Sequence, residues 1–299
     1  MSKSNSNDDV LLPSQKNPGG ITTNSWQTLR KFTNARIGLG RAGVSQPTFD
    51  QLAFQLAHAC AQDAVKKPIN WSVVETPLQA LDIPILRLHS QAADRNTYLQ
   101  RPDLGRRLSP ESKEDLNRWR ESNRESNQGP VDICVVIADG LSAFAVEQQA
   151  PLMVKQFIDD ISNLDNPCSD NKCSVICLVN QGRVAIGDEI AQRLDAELLT
   201  VFIGERPGLS SPDSLGIYFT YQAQTGFNDA QRNCISNIRP EGLSFAEASR
   251  RLIWLMKEAQ RLKLSGVQLK DESLIDAELV TDTSNNPGNF LIDDQAAES

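Results

Sequence analysis

The chain has 299 residues, of which 39% are hydrophobic and 6% aromatic, a composition typical of a soluble protein with an apolar core. Its formal net charge of −8 arises beyond Lys270, where eight acids and no bases occur. Residues 1–270 hold 30 acids and 30 bases, so they lack the basic excess of proteins that bind nucleic acid or anionic membranes. No apolar run approaches the roughly 18 residues that span a bilayer, and Met1–Asp9 lacks the apolar stretch of a secretory signal, so we expect an intracellular protein.

The first half of the chain is predicted to be mainly helical. Residues 1–24 are polar and interrupted by glycine and proline, which favours a disordered tail. Ser25 is expected to cap a short helix, and a longer amphipathic helix is predicted to begin near Thr48. The apolar face of that second helix contains Phe49, Leu52, Ala53, Leu56, Ala57, Cys60, Ala61 and Ala64. A strand is predicted over residues 83–88, and Pro84 near its start favours a position at the edge of a sheet.

A stretch without apolar residues, 121–129, predicts a boundary between a mainly helical region, residues 25–125, and a second domain, residues 131–270. In this second domain strands alternate with helices. The predicted strands cover residues 131–138, 173–179, 198–203 and 216–221, and the predicted helices end near Ile161, Leu194 and Leu264. This alternation indicates an α/β fold with a Rossmann-like, doubly wound and mostly parallel sheet. We interpret residues 271–299 as a solvated acidic tail.

Three polar loops follow the predicted strands of this sheet. They are Asp139–Ser142, Asn180–Val184 and Gly204–Gly208. Each contains a glycine, which lets backbone approach a ligand closely, and each contains polar groups that could orient the ligand. Any one of these loops could equally be a turn or a helix cap. Because ligands bind at the carboxyl ends of parallel strands, three such loops together predict a ligand crevice at that edge.

One glycine motif is rejected as a nucleotide site. Gly38–Gly43 is a literal G-x-G-x-x-G, and Asp63 lies farther along the chain. A dinucleotide fingerprint needs a preceding strand and a helix that starts inside it, whereas this stretch follows a helical pattern and precedes Pro47. We therefore predict a joint between two helices.

The cysteines and histidines predict neither a metal site nor a hydrolytic nucleophile. The six cysteines are Cys60, Cys134, Cys168, Cys173, Cys177 and Cys234. An intracellular chain keeps thiols reduced, so a disulfide framework is not expected. With only His58 and His89 available, a zinc site is not expected either, and neither histidine has a catalytic partner at a recognisable spacing.

Seven segments together resemble the small subunit, or light chain, of ethanolamine ammonia-lyase. They are Phe32–Gly43, Phe54–Val65, Ala93–Leu108, Val135–Ser142, Gln181–Ile190, Gly204–Leu209 and Asn233–Ile238. The resemblance runs from about residue 25 to about residue 270. Each motif alone is weak, and their order and joint presence make the match specific.

The resemblance implies a function for the whole assembly. Members of this family belong to a hetero-oligomeric carbon–nitrogen lyase that converts ethanolamine to acetaldehyde and ammonia by a radical reaction dependent on adenosylcobalamin. The large subunit, a TIM barrel, holds ethanolamine, and the small subunit covers the corrinoid with a Rossmann-like part. This chain would then supply cofactor binding, with no catalytic acid or base and no metal ligand of its own.

Three cobalamin contacts of the family fall on matching positions of this chain: Val184, Glu205 and Cys234. Val184 could pack on the corrin, Glu205 could accept hydrogen bonds from corrin amides or the nucleotide, and Cys234 would be a small apolar contact or weak donor. Val184 and Glu205 lie in the strand-end loops selected independently above. Neither histidine lies in the D-x-H-x-x-G pattern of cobalamin enzymes that replace the cofactor's own base, so the cofactor is expected to stay base-on.

The resemblance leaves two locations and two rival functions open. Some relatives begin with an amphipathic helix that directs them into a bacterial microcompartment, and residues 1–24 lack such an apolar stripe. Both a free cytoplasmic complex and an encapsulated one remain as expectations. The rival functions are a corrinoid-binding or reactivating module without lyase activity, and a free-standing nucleotide enzyme that uses the crevice alone.

Overall fold

The computed structural model describes residues 20–126, 131–163 and 172–273. The chain divides into two compact units, one formed by Met1–Lys67 with Arg206–Pro212 and the other by Pro68–Glu205 with Asp213–Ser299. The division follows Lys67, whereas the sequence places its domain boundary at residues 121–129. Most of the predicted N-terminal tail, the acidic tail beyond residue 273 and Cys168 lie outside the described residues.

The first unit contains two short strands and one long helix. Strand β1 is Ile21–Thr22, a 3-10 helix covers Ser25–Lys31, β2 is Arg41–Ala42 and α1 is Thr48–Lys66. Strands β1 and β2 pair in antiparallel register, so part of the segment expected to be disordered is ordered here. The helix at Ser25 is 3-10 rather than α, and its cap is Asn24, whose side chain accepts a hydrogen bond from the backbone N–H of Trp26 at 3.0 Å.

The predicted helix α1 begins at Thr48 as expected, but its apolar face is not buried within the unit. Phe49, Leu52 and Leu56 are 77%, 59% and 66% exposed. Ala64 is the buried residue of this helix. Gly38–Gly43 contains β2 and does not open a helix, in agreement with the rejection of a dinucleotide fingerprint.

The second unit is an α/β structure. Its strands are β3 (Ile85–His89), β4 (Ile133–Ala138), β5 (Cys173–Asn180), β6 (Leu198–Gly204), β7 (Leu215–Tyr221) and β8 (Asn233–Ile238). Its helices are α2 (Trp71–Gln79), α3 (Arg95–Gln100), α4 (Pro110–Glu125), α5 (Ala143–Ser162), α6 (Ile186–Leu194) and α7 (Phe245–Leu262). The α/β class and the strands predicted from the sequence are confirmed, whereas α2, α3 and β8 were not predicted.

The sheet is mixed, so the predicted Rossmann-like, doubly wound arrangement is not confirmed. The strand order is β3-β5-β4-β6-β7-β8. The first four strands are parallel, whereas β7 and β8 run antiparallel to their neighbours. A parallel strand needs a long crossover, usually a helix, and no helix separates β6 from β7 among the described residues. Strand β3 lies at one edge, as Pro84 indicated.

Helices cover both faces of this sheet. Apolar side chains of α2, α5 and α7 pack on one face, and those of α4 and α6 pack on the other. Every residue of β4 is buried, as expected of a strand covered on both faces. On the first face Phe157 of α5 contacts Phe202 of β6, with ring centroids 6.2 Å apart.

We expect Phe157→Ala to lower the free energy of unfolding by about 3–5 kcal/mol, because it leaves a cavity between α5 and the sheet. Leu152→Ala, on the same helix but 56% exposed, is the control and should cost about 0.5 kcal/mol or less. Urea denaturation followed by circular dichroism measures both, and equal losses would contradict this assignment of the core.

Candidate functional site

The three predicted loops do lie at one edge of the sheet. Strands β5, β4 and β6 are neighbours and parallel, so their carboxyl ends point the same way. Asp139–Ser142 follows β4, Gln181–Val184 follows β5, and Glu205 follows β6. The third predicted loop is divided, since Glu205 belongs to the second unit and Arg206–Gly208 to the first.

The loop after β4 packs closely against the end of β6 and caps helix α5. Gly140 has a φ of +58°, and a Cβ atom added there would lie 2.3 Å from the carbonyl oxygen of Gly204. A Cβ atom on Gly204 would in turn lie 2.1 Å from the carbonyl oxygen of Ser142. The amide of Leu141 donates to the Gly204 oxygen at 2.9 Å, and Ser142 caps α5. The alternative interpretation of this loop, a turn and a helix cap, is therefore confirmed.

A buried carboxylate fixes the loop after β5. Asp139 is 2% exposed, and its Oδ1 accepts a hydrogen bond from the backbone N–H of Gly182 at 3.0 Å. Arg95 of α3 places Nη1 3.3 Å from Asp139 Oδ2 and 2.9 Å from the Gly140 oxygen. Burial raises the pKa of Asp139 to about 6, although Arg95 opposes the shift. The carboxylate thus joins two strand-end loops and α3.

Tyr98 extends this contact to the backbone of the same loop. Its ring centroid lies 4.8 Å from the guanidinium carbon of Arg95 and 4.4 Å from that of Arg183. Its hydroxyl donates to the Gly182 oxygen at 3.2 Å, and the Arg183 amide donates to the Gly105 oxygen at 2.8 Å. Arg95 and Tyr98 lie in a segment that resembles the family, but the resemblance assigned them no role. In the structure they hold the loop that carries Val184.

Val184 and the start of α6 lie on the face covered by α4 and α6. Val184 is half-buried and packs against the apolar cluster of that face. In the first turn of α6, Asp188 forms a buried ion pair with Arg232, which precedes β8. Burial raises the pKa of Asp188 to about 6, and the charge of Arg232 opposes the shift. The ion pair ties the segment after Val184 to the strand that contains Cys234.

Tyr218, which was not predicted from the sequence to belong to the site, lies on the same face of the sheet as Glu205 and Cys234. The carboxylate of Glu205 accepts hydrogen bonds from Ser214 Oγ at 2.5 Å and from the backbone N–H of Asn237 at 3.3 Å. Cys234 of β8 is opposite Tyr218 of β7 in the strand register. The side chains of Tyr218 and Cys234 therefore lie on the same face of the sheet, and the Glu205 carboxylate lies against Gly216 on that face, two residues before Tyr218.

The pKa values in this group shift in one direction. Burial raises the pKa of Tyr218, and Cys234 and Glu205 raise it further. Burial also raises the pKa of Cys234, although the hydrogen bond from Tyr218 opposes that shift. The side chains of Tyr218 and Cys234 are therefore uncharged at neutral pH. The carboxylate of Glu205 is the hydrogen-bond acceptor beside them.

The three predicted contact residues thus lie on the same face of the sheet. Glu205 contacts β8 at Asn237, three residues beyond Cys234, and Val184 follows the end of β5. The sequence placed Val184 and Glu205 at strand ends, but strand register was needed to find Tyr218. A separate cavity of about 440 Å³ opens at the opposite ends of β4 and β6, lined in part by Asp132, Asp195 and Glu197.

The histidines lie elsewhere. His89 ends β3, and its Nδ1 lies 2.7 Å from the Ser90 carbonyl oxygen. His58 belongs to α1 in the first unit, with Nε2 3.2 Å from Gln62 Nε2. Over residues 20–126, 131–163 and 172–273, no group of three or more His, Cys, Asp or Glu side chains could hold a metal ion.

Comparison with known proteins adds independent information. A sequence model described as ethanolamine ammonia-lyase light chain matches residues 23–270. The ethanolamine ammonia-lyase small subunit of Azotobacter vinelandii is 49% identical over 271 residues, covering 91% of this chain and 96% of its own length. The small subunit of Xanthomonas campestris is 51% identical, covering 90% and 96%, and that of Ralstonia nicotianae is 50% identical, covering 85% and 91%.

None of the helices among the described residues is long and apolar enough to cross a membrane.

The matched range, residues 23–270, agrees with the range of the resemblance found in the sequence and spans both compact units. The chain belongs to the ethanolamine ammonia-lyase light chain family.

Proposed function

We propose that this chain is the small subunit of an adenosylcobalamin-dependent ethanolamine ammonia-lyase and binds the cobalamin where it meets a large catalytic subunit. The observation that carries the proposal is the placement of Val184, Glu205 and Cys234 on one face, at and beside the carboxyl edge of the sheet. Curated relatives matched over 96% of their length are named small subunits of this lyase.

The side chains at this edge have the chemistry that a corrinoid requires. Val184 presents a half-buried apolar surface suited to the corrin ring. Glu205 is a carboxylate with two hydrogen bonds, so acceptor positions remain for N–H groups of the corrin amides. Cys234 is an exposed, small and uncharged contact. The residues of this chain therefore fit the cofactor.

The division of labour follows from these groups. When bound, adenosylcobalamin supplies the carbon-centred radical that starts the conversion of ethanolamine to acetaldehyde and ammonia. This chain holds the corrinoid and shields it from water, while the large subunit, a TIM barrel, binds ethanolamine. Since neither His58 nor His89 lies in a D-x-H-x-x-G pattern, we propose that the cofactor would keep its own base.

The apolar face of α1 is proposed as the contact with the large subunit. Phe49, Leu52 and Leu56 form an exposed apolar helix face, and such faces mark sites of protein association. The 3-10 helix of the same unit adds Trp26, which is 66% exposed. The mainly helical region, residues 25–125, would then face the partner, and residues 131–270 would bind the cobalamin.

The rival functions differ in what they require of the chain. A corrinoid-binding or reactivating module would bind cobalamin without the large subunit and would add no lyase activity. A nucleotide enzyme would need a phosphate loop that opens a helix, whereas Gly38–Gly43 contains the short strand β2. The proposed complex would work in the cytoplasm, either free or inside a bacterial microcompartment, and a targeting helix within Met1–Gly19 would fall outside the described residues.

We expect Glu205→Ala to raise the adenosylcobalamin concentration needed for half-maximal ammonia release by about ten- to hundredfold, because a charged hydrogen-bond acceptor is lost. The assay combines this chain with a cognate large subunit, ethanolamine and varied cofactor. Glu121→Ala, an exposed acid of α4, is the control and should leave the value unchanged. Ammonia release without this chain or without the cofactor would refute the proposed function.

We expect the double substitution Phe49→Ser and Leu56→Ser to weaken association with the large subunit at least tenfold, because two exposed apolar contacts are removed. Sedimentation of the mixed subunits measures the association. Leu152→Ser, an exposed apolar residue of the second unit, is the control. An unchanged affinity would show that the α1 face lies outside the interface.

A further inference from the structure

Tyr218 of β7 lies on the same face of the sheet as two proposed contact residues, Glu205 after β6 and Cys234 of β8. It is half-buried in β7, whereas its neighbours Ile217 and Phe219 point into the core on the opposite face. Its ring packs against the same apolar cluster as Val184. The cofactor contacts assigned by family resemblance surround this residue, although it was not among them.

The hydroxyl of Tyr218 is a hydrogen-bond donor, and its neighbour in the strand register, Cys234, offers only a weak sulfur acceptor. A carbonyl oxygen would be a better partner for this hydroxyl. Glu205, whose carboxylate lies against Gly216 two residues before Tyr218, is acceptor-only. The site thus offers one donor and one acceptor close together.

This pairing matches one chemical group. A primary carboxamide has a carbonyl oxygen that accepts and an NH2 group that donates, and the corrin ring carries several such side chains. We infer that Tyr218 is a further cofactor-contacting residue, which donates to the carbonyl oxygen of a corrin carboxamide whose NH2 group donates to Glu205. The inference rests on the proposed function, since it names the group recognised at that same site.

The arrangement also determines which corrinoids are rejected. A corrinoid whose amide at this position is hydrolysed presents a carboxylate, which has no donor for Glu205 and is repelled by its charge. The repulsion moves the acid group away from both side chains, so Tyr218 donates to the intact amide and not to the carboxylate, and the two residues together discriminate the complete cofactor from its acid forms. A tyrosine that only fills space would show no such selectivity, and this difference separates the inference from a packing role.

The test measures equilibrium binding of cyanocobalamin and of its isomeric monocarboxylate derivatives to the assembled complex of both subunits, at neutral pH. The wild-type complex should bind one monocarboxylate at least tenfold more weakly than cyanocobalamin. Tyr218→Phe should bind cyanocobalamin about three- to tenfold more weakly, and its discrimination against that one isomer should fall.

Tyr221→Phe is the matched control, because Tyr221 lies on the same strand with its side chain in the opposite core. It should change neither affinity nor discrimination. Thermal unfolding of each variant reports folding independently of the cofactor.

The outcomes separate the two proposals. If the wild-type complex binds no cyanocobalamin, the proposed function and this inference both fail. If it binds cyanocobalamin and Tyr218→Phe binds all forms as the wild type does, the inference fails while the function stands. A Tyr218→Phe loss that is equal for all derivatives overturns carboxamide recognition and leaves a packing role.

Discussion

The backbone contact between the ends of β4 and β6 is the constraint on which the site depends. At Gly140 and Gly204 two segments of the backbone approach so closely that a Cβ atom on either glycine would overlap a carbonyl oxygen of the other segment. This junction fixes Asp139 on one side and Glu205 on the other. Asp139 in turn holds Gly182 and pairs with Arg95, so the loop that carries Val184 takes its position from the same junction. A single close approach therefore sets the geometry of all three strand ends.

The mixed sheet explains why the site extends beyond the parallel strands. Strands β7 and β8 run antiparallel, and they bring Tyr218 and Cys234 onto the face that holds Val184. The buried ion pair between Asp188 and Arg232 joins the beginning of α6 to the beginning of β8. Removing one partner would leave an uncompensated buried charge, so the two parts of the site are connected energetically as well as by the sheet.

The parts that the sequence could predict are those governed by local pattern. Apolar runs located β4, β5, β6 and β7, and the rule for parallel strands then placed Val184 and Glu205 at one edge. Strand β8 was not predicted because Asn233–Ile238 shows neither an apolar run nor a regular alternation of polar and apolar residues, so Cys234 came only from the family resemblance. Tyr218, Arg95 and Tyr98 could not be found because register and side-chain stacking depend on tertiary structure. The exposure of the α1 face was equally invisible, since an apolar stripe at helical spacing indicates burial without naming the partner that provides it.

In the proposed cobalamin site, Cys234 would place a thiol beside a reactive organometallic group. Burial raises the pKa of this thiol, so at neutral pH the sulfur is protonated. A protonated sulfur is a poor nucleophile and a poor ligand for cobalt, because both reactions need the thiolate. The same protonation protects the side chain from oxidation and alkylation in spite of its surface position. At the proposed site, burial of the thiol, rather than its distance, would therefore suppress the reactions that poison such a cofactor.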